Sequence, residues 1–468
     1  MPRETIIVAA SLAYSLTNFR GPLIARMVQA GYRVIACAPD ANGPVIAELA
    51  ALGVGFRRVP MDRTGRNPLR DVRTCLAYLR MFRAERPSLV IAYTQKPIIY
   101  AGLALRAVRN TGFIPIVTGL GYVFSEAGRN RRLQALTTRL FRASLKRASQ
   151  ILVFNDDDAQ ELRRRGMVDD GQALYRLPGS GVDLVRFRRH PIPAGAPKFL
   201  LIARLLSDKG LREFAQAAAI VRARFPAARF QLLGPFDPNP AAIPRDEIEG
   251  WVRSGDIEYL GATDDVVPHL ADCTVYVLPS YREGLPRTVL EAMAVGRAII
   301  TTDAPGCRDT VEQGGNGFLV TPRSAPDLAA AMLHFCEDPA LASRMGARSR
   351  ALAEERYDAV EVGRQTMEAI LRGRYPEQRS RISPAEADGC EHRAGAAPLG
   401  HIGFQPKQRR TAKIDGRPLA ARCQAGPPAN PPRELSATSA RASMSISSRL
   451  LNSAGVTRTH APFAGPSR

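Results

Sequence analysis

Several things are scarce in this 468-residue chain. Its seven cysteines, at 37, 75, 273, 307, 336, 390 and 423, are odd in number and include no C-x-x-C pair. That argues against a disulfide framework or a thiolate metal site and points to a reducing compartment. The six histidines (190, 269, 334, 392, 401, 460) fall at no metal-ligand spacing. No run of ~20 apolar residues is present. The most apolar stretch, Leu89 to Val108, is interrupted by Gln95, Lys96 and Arg106. The first residues carry Glu4 and then only the short apolar run Ile6–Ala10, which reads as a strand rather than a signal peptide. The expectation is therefore a cytoplasmic protein, soluble or peripheral on the inner face of the plasma membrane. No G-x-G-x-x-G follows the first strand, which counts against a nicotinamide dehydrogenase.

Positive charge, by contrast, is abundant and unevenly placed. The formal net charge is +21. Residues 1–190 hold 30 Lys+Arg against 14 Asp+Glu, residues 191–375 hold 21 against 24, and the remainder 14 against 6. A basic half beside a nearly neutral one suggests that the basic half faces an anionic partner. A nucleic-acid partner has no recognisable module or aromatic stacking cluster behind it.

Short β-branched runs alternate with segments of helical period. Strands are expected at Ile6–Ala10, Arg33–Ala38, Gly55–Pro60, Leu89–Tyr93, Ile114–Thr118 and Ile151–Phe154. Helices are expected over Asn18–Ala30, Val45–Leu52, 69–84, 98–108 and 130–148. After a Pro-, Gly- and Arg-rich linker from Pro178 to Pro197, a second series runs from strand Lys198–Ala203 to helices at 325–337 and 340–372. This β-α-β rhythm predicts an α/β protein of two Rossmann-like domains in tandem facing a cleft. The expected divisions are 1–190, 191–357, a closing helix at 358–375 and a tail at 376–468. The tail is rich in Arg, Ser, Ala, Pro and Gly, and its composition reads as disordered.

The segment carrying the most chemistry is Tyr281-Arg-Glu-Gly-Leu-Pro-Arg-Thr-Val-Leu-Glu-Ala-Met-Ala-Val-Gly296. Pro286 suits the first turn of a helix, whose free N–H groups make an anion site beside Gly284 and Leu285. Glu283 precedes that helix and Glu291 lies within it. Carboxylates at this spacing can accept hydrogen bonds from paired sugar hydroxyls. A bare pair of acids eight residues apart would be an ordinary capped helix with solvated carboxylates. Upstream, Ala203-Arg204-Leu-Leu-Ser-Asp-Lys209-Gly210 sets an Arg and a Lys at a strand-helix turn, able to clamp a diphosphate; standing alone they would be surface charge.

With its intervening residues, the E-G-L-P-x-x-x-L-E-A-M-A-x-G segment resembles the retaining GT-B glycosyltransferases of the large E-x7-E, family-4-like group. That group includes bacterial polysaccharide and lipid-linked-oligosaccharide synthases. The resemblance implies a sugar moved from a nucleotide-sugar, expected to be a UDP-sugar, to a polyprenyl-diphosphate-linked sugar or growing polysaccharide. It implies that Glu283 contacts the transferred sugar, that Glu291 holds the ribose, and that Arg204 and Lys209 neutralise the leaving nucleoside diphosphate. No metal or other cofactor is expected. A nucleotide-sugar epimerase on the same fold is the alternative.

The first half departs from the family pattern. Where many relatives have a Gly-Gly loop, this chain has Ser11–Arg20 and then Gly21-Pro22, and no His follows the strand near residue 118. Tyr93-Thr-Gln-Lys96-Pro97 and the loop Thr118-Gly-Leu-Gly-Tyr122 resemble a bacterial O-antigen or capsule subgroup. Lys96 and Tyr122 are candidate acceptor-side residues, with Gly21 at the first turn; a packed Tyr and a surface Lys fit the same text. Asp156-Asp157-Asp158 follow Asn155 and open a helix, so helix-capping acids account for them without a metal. Arg129–Arg147 holds seven basic residues and no acid, with Leu133, Leu136, Leu140, Phe141 and Leu145 at helical spacing. Such a helix can lie on an anionic leaflet, or pack its apolar face on the sheet and leave its arginines solvated.

Overall fold

The all-parallel arrangement follows from how the buried strands are composed. In the first half, Thr5–Ala9 (β1), Arg33–Ala38 (β2), Gly55–Arg58 (β3), Leu89–Tyr93 (β4), Gly112–Val117 (β5), Ile151–Val153 (β6) and Leu174–Arg176 (β7) form one sheet. Their order is β3-β2-β1-β4-β5-β6-β7. Central strands such as β1 and β4 are buried at every residue, as a parallel sheet covered on both faces requires. The second sheet joins Lys198–Ile202 (β8), Arg229–Leu233 (β9), Glu258–Tyr259 (β10), Val275–Leu278 (β11), Ala298–Thr302 (β12) and Gly317–Val320 (β13) in the order β10-β9-β8-β11-β12-β13.

In both sheets the order reverses beside the first strand, between β1 and β4 and between β8 and β11. Open α/β sheets take ligands at the carboxyl ends of their strands at that switch point. This computed structural model describes residues 3–62, 65, 67–121, 124, 131–239 and 241–374. All lie within one compact unit, Met1–Glu391. The sequence expectations for Tyr122, Arg129 and the 376–468 tail fall outside the described residues.

Two chain crossings join the halves. Val182 N–H donates to the Tyr357 carbonyl at 2.7 Å, and Val182 bridges Asp358 in parallel. The long helix expected over 340–372 is instead two, Pro339–Arg356 and Ala359–Arg374. The break falls at Tyr357, a buried residue whose hydroxyl donates to the Asp309 carbonyl at 2.9 Å. Beyond it the last helix returns to the first sheet, packing Met367 and Ile370 into that sheet's core. Gln150 Nε2 holds it there through the Ala369 carbonyl at 3.0 Å.

A second break matters more for the site. The helix expected over Asn18–Ala30 begins instead at Gly21 and runs to Gln29, and a separate short helix, Tyr14–Asn18, precedes it with Phe19 and Arg20 between them. Arg20 turns inward there and is 4% exposed.

The basic helix is Arg131–Leu145. Phe141 and Leu145 sit in the core and the helix packs on helix Gln95–Leu105, while Arg131, Arg132, Arg139, Arg142 and Leu136 are exposed. Among the described residues, no helix is long and apolar enough to cross a membrane.

Candidate active site

Strand ends of both lobes meet across the cleft. From the second lobe come the turn after β8 (Arg204 to Lys209), the loop after β11 (Pro279 to Gly284) and the residues that follow β12 and β13. From the first lobe comes the loop after β5 (Thr118 to Gly121). They enclose a cavity of about 570 Å³ lined by Arg204, Lys209, Glu283 and Gly284, together with Thr118, Gly119, Asp303 and Arg323.

Glu283 is fixed from three sides. Its Oε1 accepts from Lys209 Nζ at 2.6 Å and from Ser280 Oγ at 2.8 Å, and its backbone N–H donates to the Pro305 carbonyl at 2.9 Å. Lys209 and Glu283 are each less than one-fifth exposed. Burial acts to lower the Lys209 pKa, but Glu283 and Asp208 beside it outweigh that and hold it above its ordinary value. The lysine is thus charged at any working pH, and a short, largely desolvated ion pair keeps its geometry. Arg204, half exposed at the mouth, is steadied by Asp237 at 2.9 Å.

Gly284 is needed for close approach. A side chain there would collide with the Thr118 carbonyl oxygen, and one at Gly306 with the Glu283 and Gly284 carbonyls. Gly284 abuts Thr118–Gly119, and Thr118 is a wall shared by the large cavity and a second chamber of about 260 Å³. Leu285 lines this second chamber and packs against the cores of both lobes.

The other sequence candidates lie apart from the large cavity. Glu291 is 6% exposed on helix Arg287–Val295, and its Oε1 accepts from Arg287 Nε at 3.0 Å. Burial raises its pKa, with Arg287 pulling the other way. Lys96 Nζ donates to the Gly65 carbonyl at 2.8 Å and pairs with Asp71 at 2.9 Å. Gly21 occupies the first position of helix Gly21–Gln29, next to the inward-turned Arg20.

The structure also assembles contacts that sequence reasoning missed. Asn155 is the N-cap of helix Asp156–Arg164, with Oδ1 accepting from Asp158 N at 2.7 Å. The three acids expected as caps therefore do not cap; they sit in the first turn and reach the other lobe. Asp158 pairs with Arg282, and Asp157 with Arg308 at 2.7 Å. Arg176 joins Asp156 to Asp309, each at 2.7 Å. Asn155 Nδ2 donates across the lobes to the Gly284 carbonyl at 2.6 Å. The run of acids after a strand was visible in the sequence, but nothing local named its arginine partners. Among the described residues, no group of three or more His, Cys, Asp or Glu is arranged to hold a metal ion.

Comparison with known proteins agrees with this architecture. Residues 19–179 match the model of a glycosyl transferase 4-like domain, and residues 196–338 that of glycosyl transferases group 1. A Campylobacter jejuni N,N'-diacetylbacillosaminyl-diphospho-undecaprenol alpha-1,3-N-acetylgalactosaminyltransferase is 26% identical over 343 residues, covering 70% of this chain and 88% of that one. A Salmonella typhimurium protein described as a colanic acid biosynthesis glycosyltransferase is 31% identical over 216 residues, 44% of this chain and 52% of its own length. Among solved structures, a sucrose-phosphate synthase from Thermosynechococcus elongatus superimposes with a TM-score of 0.66 at 20% identity, over 79% of this chain and 99% of that one. Anabaena HepE, solved in complex with UDP and glucose, does so with a TM-score of 0.64 at 19% identity, over 79% and 99%. These relatives offer the epimerase alternative no support. The chain belongs to the GT-B glycosyltransferases, in the family-4-like group, and is a sugar-transferring enzyme.

Proposed function

We propose that the large cavity takes a nucleotide-sugar, a UDP-sugar by expectation, and that the enzyme transfers its sugar to a lipid-linked or growing glycan. The observation that carries this reading is the Lys209–Glu283 pair at 2.6 Å, set opposite Arg204 where the β8 and β11 loops meet. As the bond from the anomeric carbon to the diphosphate breaks, negative charge grows on the leaving group. Lys209 and Arg204 are preorganised cations at that place, and their fixed charge stabilises the transition state without reorganisation. Glu283, held by Lys209 and Ser280, keeps its second carboxylate oxygen for sugar hydroxyls. In this reading the two side chains supply the charge stabilisation that a metal ion gives elsewhere, and the anomeric configuration is retained.

The acceptor enters from the basic lobe. A lipid-linked acceptor is favoured by the C. jejuni relative, whose name gives a diphospho-undecaprenol substrate. It is favoured too by the exposed arginines of helix Arg131–Leu145, which can lie against an anionic leaflet.

A screen of nucleotide-sugars for nucleoside-diphosphate release, with and without a polyprenyl-diphosphate-linked sugar, tests the donor and acceptor classes. Glu283→Ala and Arg204→Ala are each expected to abolish transfer while the fold persists; near-normal turnover in either would overturn the assignment.

A further inference from the structure

The second chamber, which shares Thr118 with the large cavity, holds a charge that the protein itself does not neutralise. Arg20 is 4% exposed, and Nη1 donates to the Ser15 carbonyl at 2.7 Å. Its guanidinium lies 4.0 Å from the centre of the Tyr93 ring. Among the described residues Arg20 has no carboxylate partner, and its Nε makes no hydrogen bond. Burial brings its pKa down to about 10, and nearby Arg287 pushes in the same direction. A buried guanidinium is normally paired, because desolvation of an uncompensated charge costs several kcal/mol.

The surroundings sharpen this. Arg287 comes from the other lobe and lies 4.9 Å from the centre of the Phe19 ring, so Arg20 and Arg287 flank the chamber from opposite lobes. No Asp or Glu lines the chamber; Glu291 is already taken by Arg287, and Glu48, Asp183 and Asp264 line the adjoining cavity on the far side of Phe19 and Arg287. Arg20 is thus a guanidinium without a carboxylate partner on the wall of a volume of about 260 Å³. Ser11, Ser15 and Ser180 add hydroxyl groups to the wall. Thr94 does so as well, from a backbone at φ 66°, with its Oγ1 buried and unpartnered. A β-branched residue in the left-handed region is strained by ~1–3 kcal/mol, and such strain collects where ligands are held.

We infer that this chamber is an anion subsite, separate from the donor cavity, in which Arg20 and Arg287 grip a phosphoryl group of the acceptor. The inference rests on the reading of the large cavity as the donor site, since it divides the cleft between two substrates. It gives a role to the Phe19–Arg20 junction between helices Tyr14–Asn18 and Gly21–Gln29, which turns a cation inward.

The test is calorimetric titration of the full chain, saturated with the nucleoside diphosphate released in turnover, by inorganic pyrophosphate. Binding is expected to persist when the donor cavity is filled in this way. Arg20→Gln and Arg287→Gln are each expected to weaken it by about tenfold or more, the loss of one charge-assisted contact, while Arg20→Lys keeps most of it. If the nucleotide abolishes pyrophosphate binding, the chamber belongs to the donor's diphosphate and the inference fails. It fails equally if binding ignores both arginines. Should Arg20→Gln not fold, Arg287→Gln carries the measurement.

A second arm separates acceptor from adventitious anion. The ratio of kcat/KM for a diphosphate-linked sugar acceptor to that for the same sugar on a neutral aglycone should fall about tenfold in Arg287→Gln. An unchanged ratio would overturn the acceptor assignment. A chain that binds pyrophosphate as described but transfers no sugar would instead refute the proposed function and leave the site standing.

Discussion

Removing the Asn155 side chain separates two jobs that one amide performs. Its Oδ1 caps helix Asp156–Arg164 through Asp158 N at 2.7 Å, and its Nδ2 reaches the Gly284 carbonyl of the other lobe at 2.6 Å. The residue is fully buried, so no water replaces either contact. Loss of the cap costs about 1 kcal/mol, and leaving the buried Gly284 carbonyl unpaired costs about 1–3 kcal/mol. Asn155→Ala should therefore lower the unfolding free energy by about 2–4 kcal/mol. Asn155→Ser restores a capping oxygen but is too short to reach Gly284, so it should recover about 1 kcal/mol of that loss and no more. Because Gly284 adjoins Glu283, the serine variant should also lose about ten- to a hundredfold in kcat/KM for transfer, the effect of a loosened catalytic loop. Urea denaturation and steady-state turnover measure both quantities. A serine variant with wild-type stability and turnover within about threefold of wild type would refute the claim that this amide tethers the loop.

Three further outcomes follow from the geometry. Lys209→Met takes away a cation beside the leaving group and the partner of Glu283, so kcat should fall by about 10²–10³-fold; a single-turnover assay showing an unchanged chemical step would refute it. Glu291 has its pKa raised above the ordinary 4.5 by burial, only partly offset by Arg287. Between those two values the native state keeps a proton that the unfolded chain has released, so this group makes stability decline as pH rises through that window. Glu291→Gln removes that dependence, and the stability difference, variant minus wild type, should grow more positive from about pH 4 to about pH 7; a constant difference in denaturation midpoints would count against it. Replacing exposed Arg131, Arg132 and Arg139 with Gln should weaken co-sedimentation with anionic lipid vesicles by about 3 kcal/mol at low salt, about 1 per residue. No loss of binding, or equal binding to neutral vesicles, would dismiss the leaflet contact.

Elements whose burial is uniform were readable from sequence alone. The strands at 33–38 and 89–93 match because apolar, β-branched stretches bounded by turn residues have few other uses in a covered sheet. Helix Arg245–Arg253 escaped notice because Ile248 is its only buried residue, and β7 because all three of its residues keep some exposure. The break between the last two helices could not be read from helical period, since what ends the first one is a contact from Tyr357 to residue 309. The same limit governs the site. Lys209 and Glu283 were each visible in a motif, but the ion pair between them spans 74 positions. The partners of Asp156–Asp158 and the inward turn of Arg20 exist only once two sheets face each other.

That long-range pairing also changes what the charge asymmetry means. Residues 1–190 carry 14 acids, and three of them, Asp156 to Asp158, are spent on arginines at the lobe boundary. Arg282 and Arg308 are supplied by the otherwise nearly neutral second lobe. Three acids of the basic lobe thus sit at the seam, where Asp158 and Asp157 pair with Arg282 and Arg308, while Arg131, Arg132, Arg139 and Arg142 stay exposed on the outer helix. A charge excess spread evenly over a lobe would attract an anion without orienting it. Here the outer face is basic, the seam is neutralised, and an unpaired guanidinium lies between them in the cleft. Such a gradient draws an anionic acceptor toward the cleft and gives it a fixed point to bind once there. It follows that neutralising the outer arginines should slow capture at low salt and flatten its salt dependence, whereas changing Arg20 should alter affinity at every ionic strength. The two effects separate in a plot of acceptor kcat/KM against salt, and parallel curves for both sets of variants would show that the seam directs nothing.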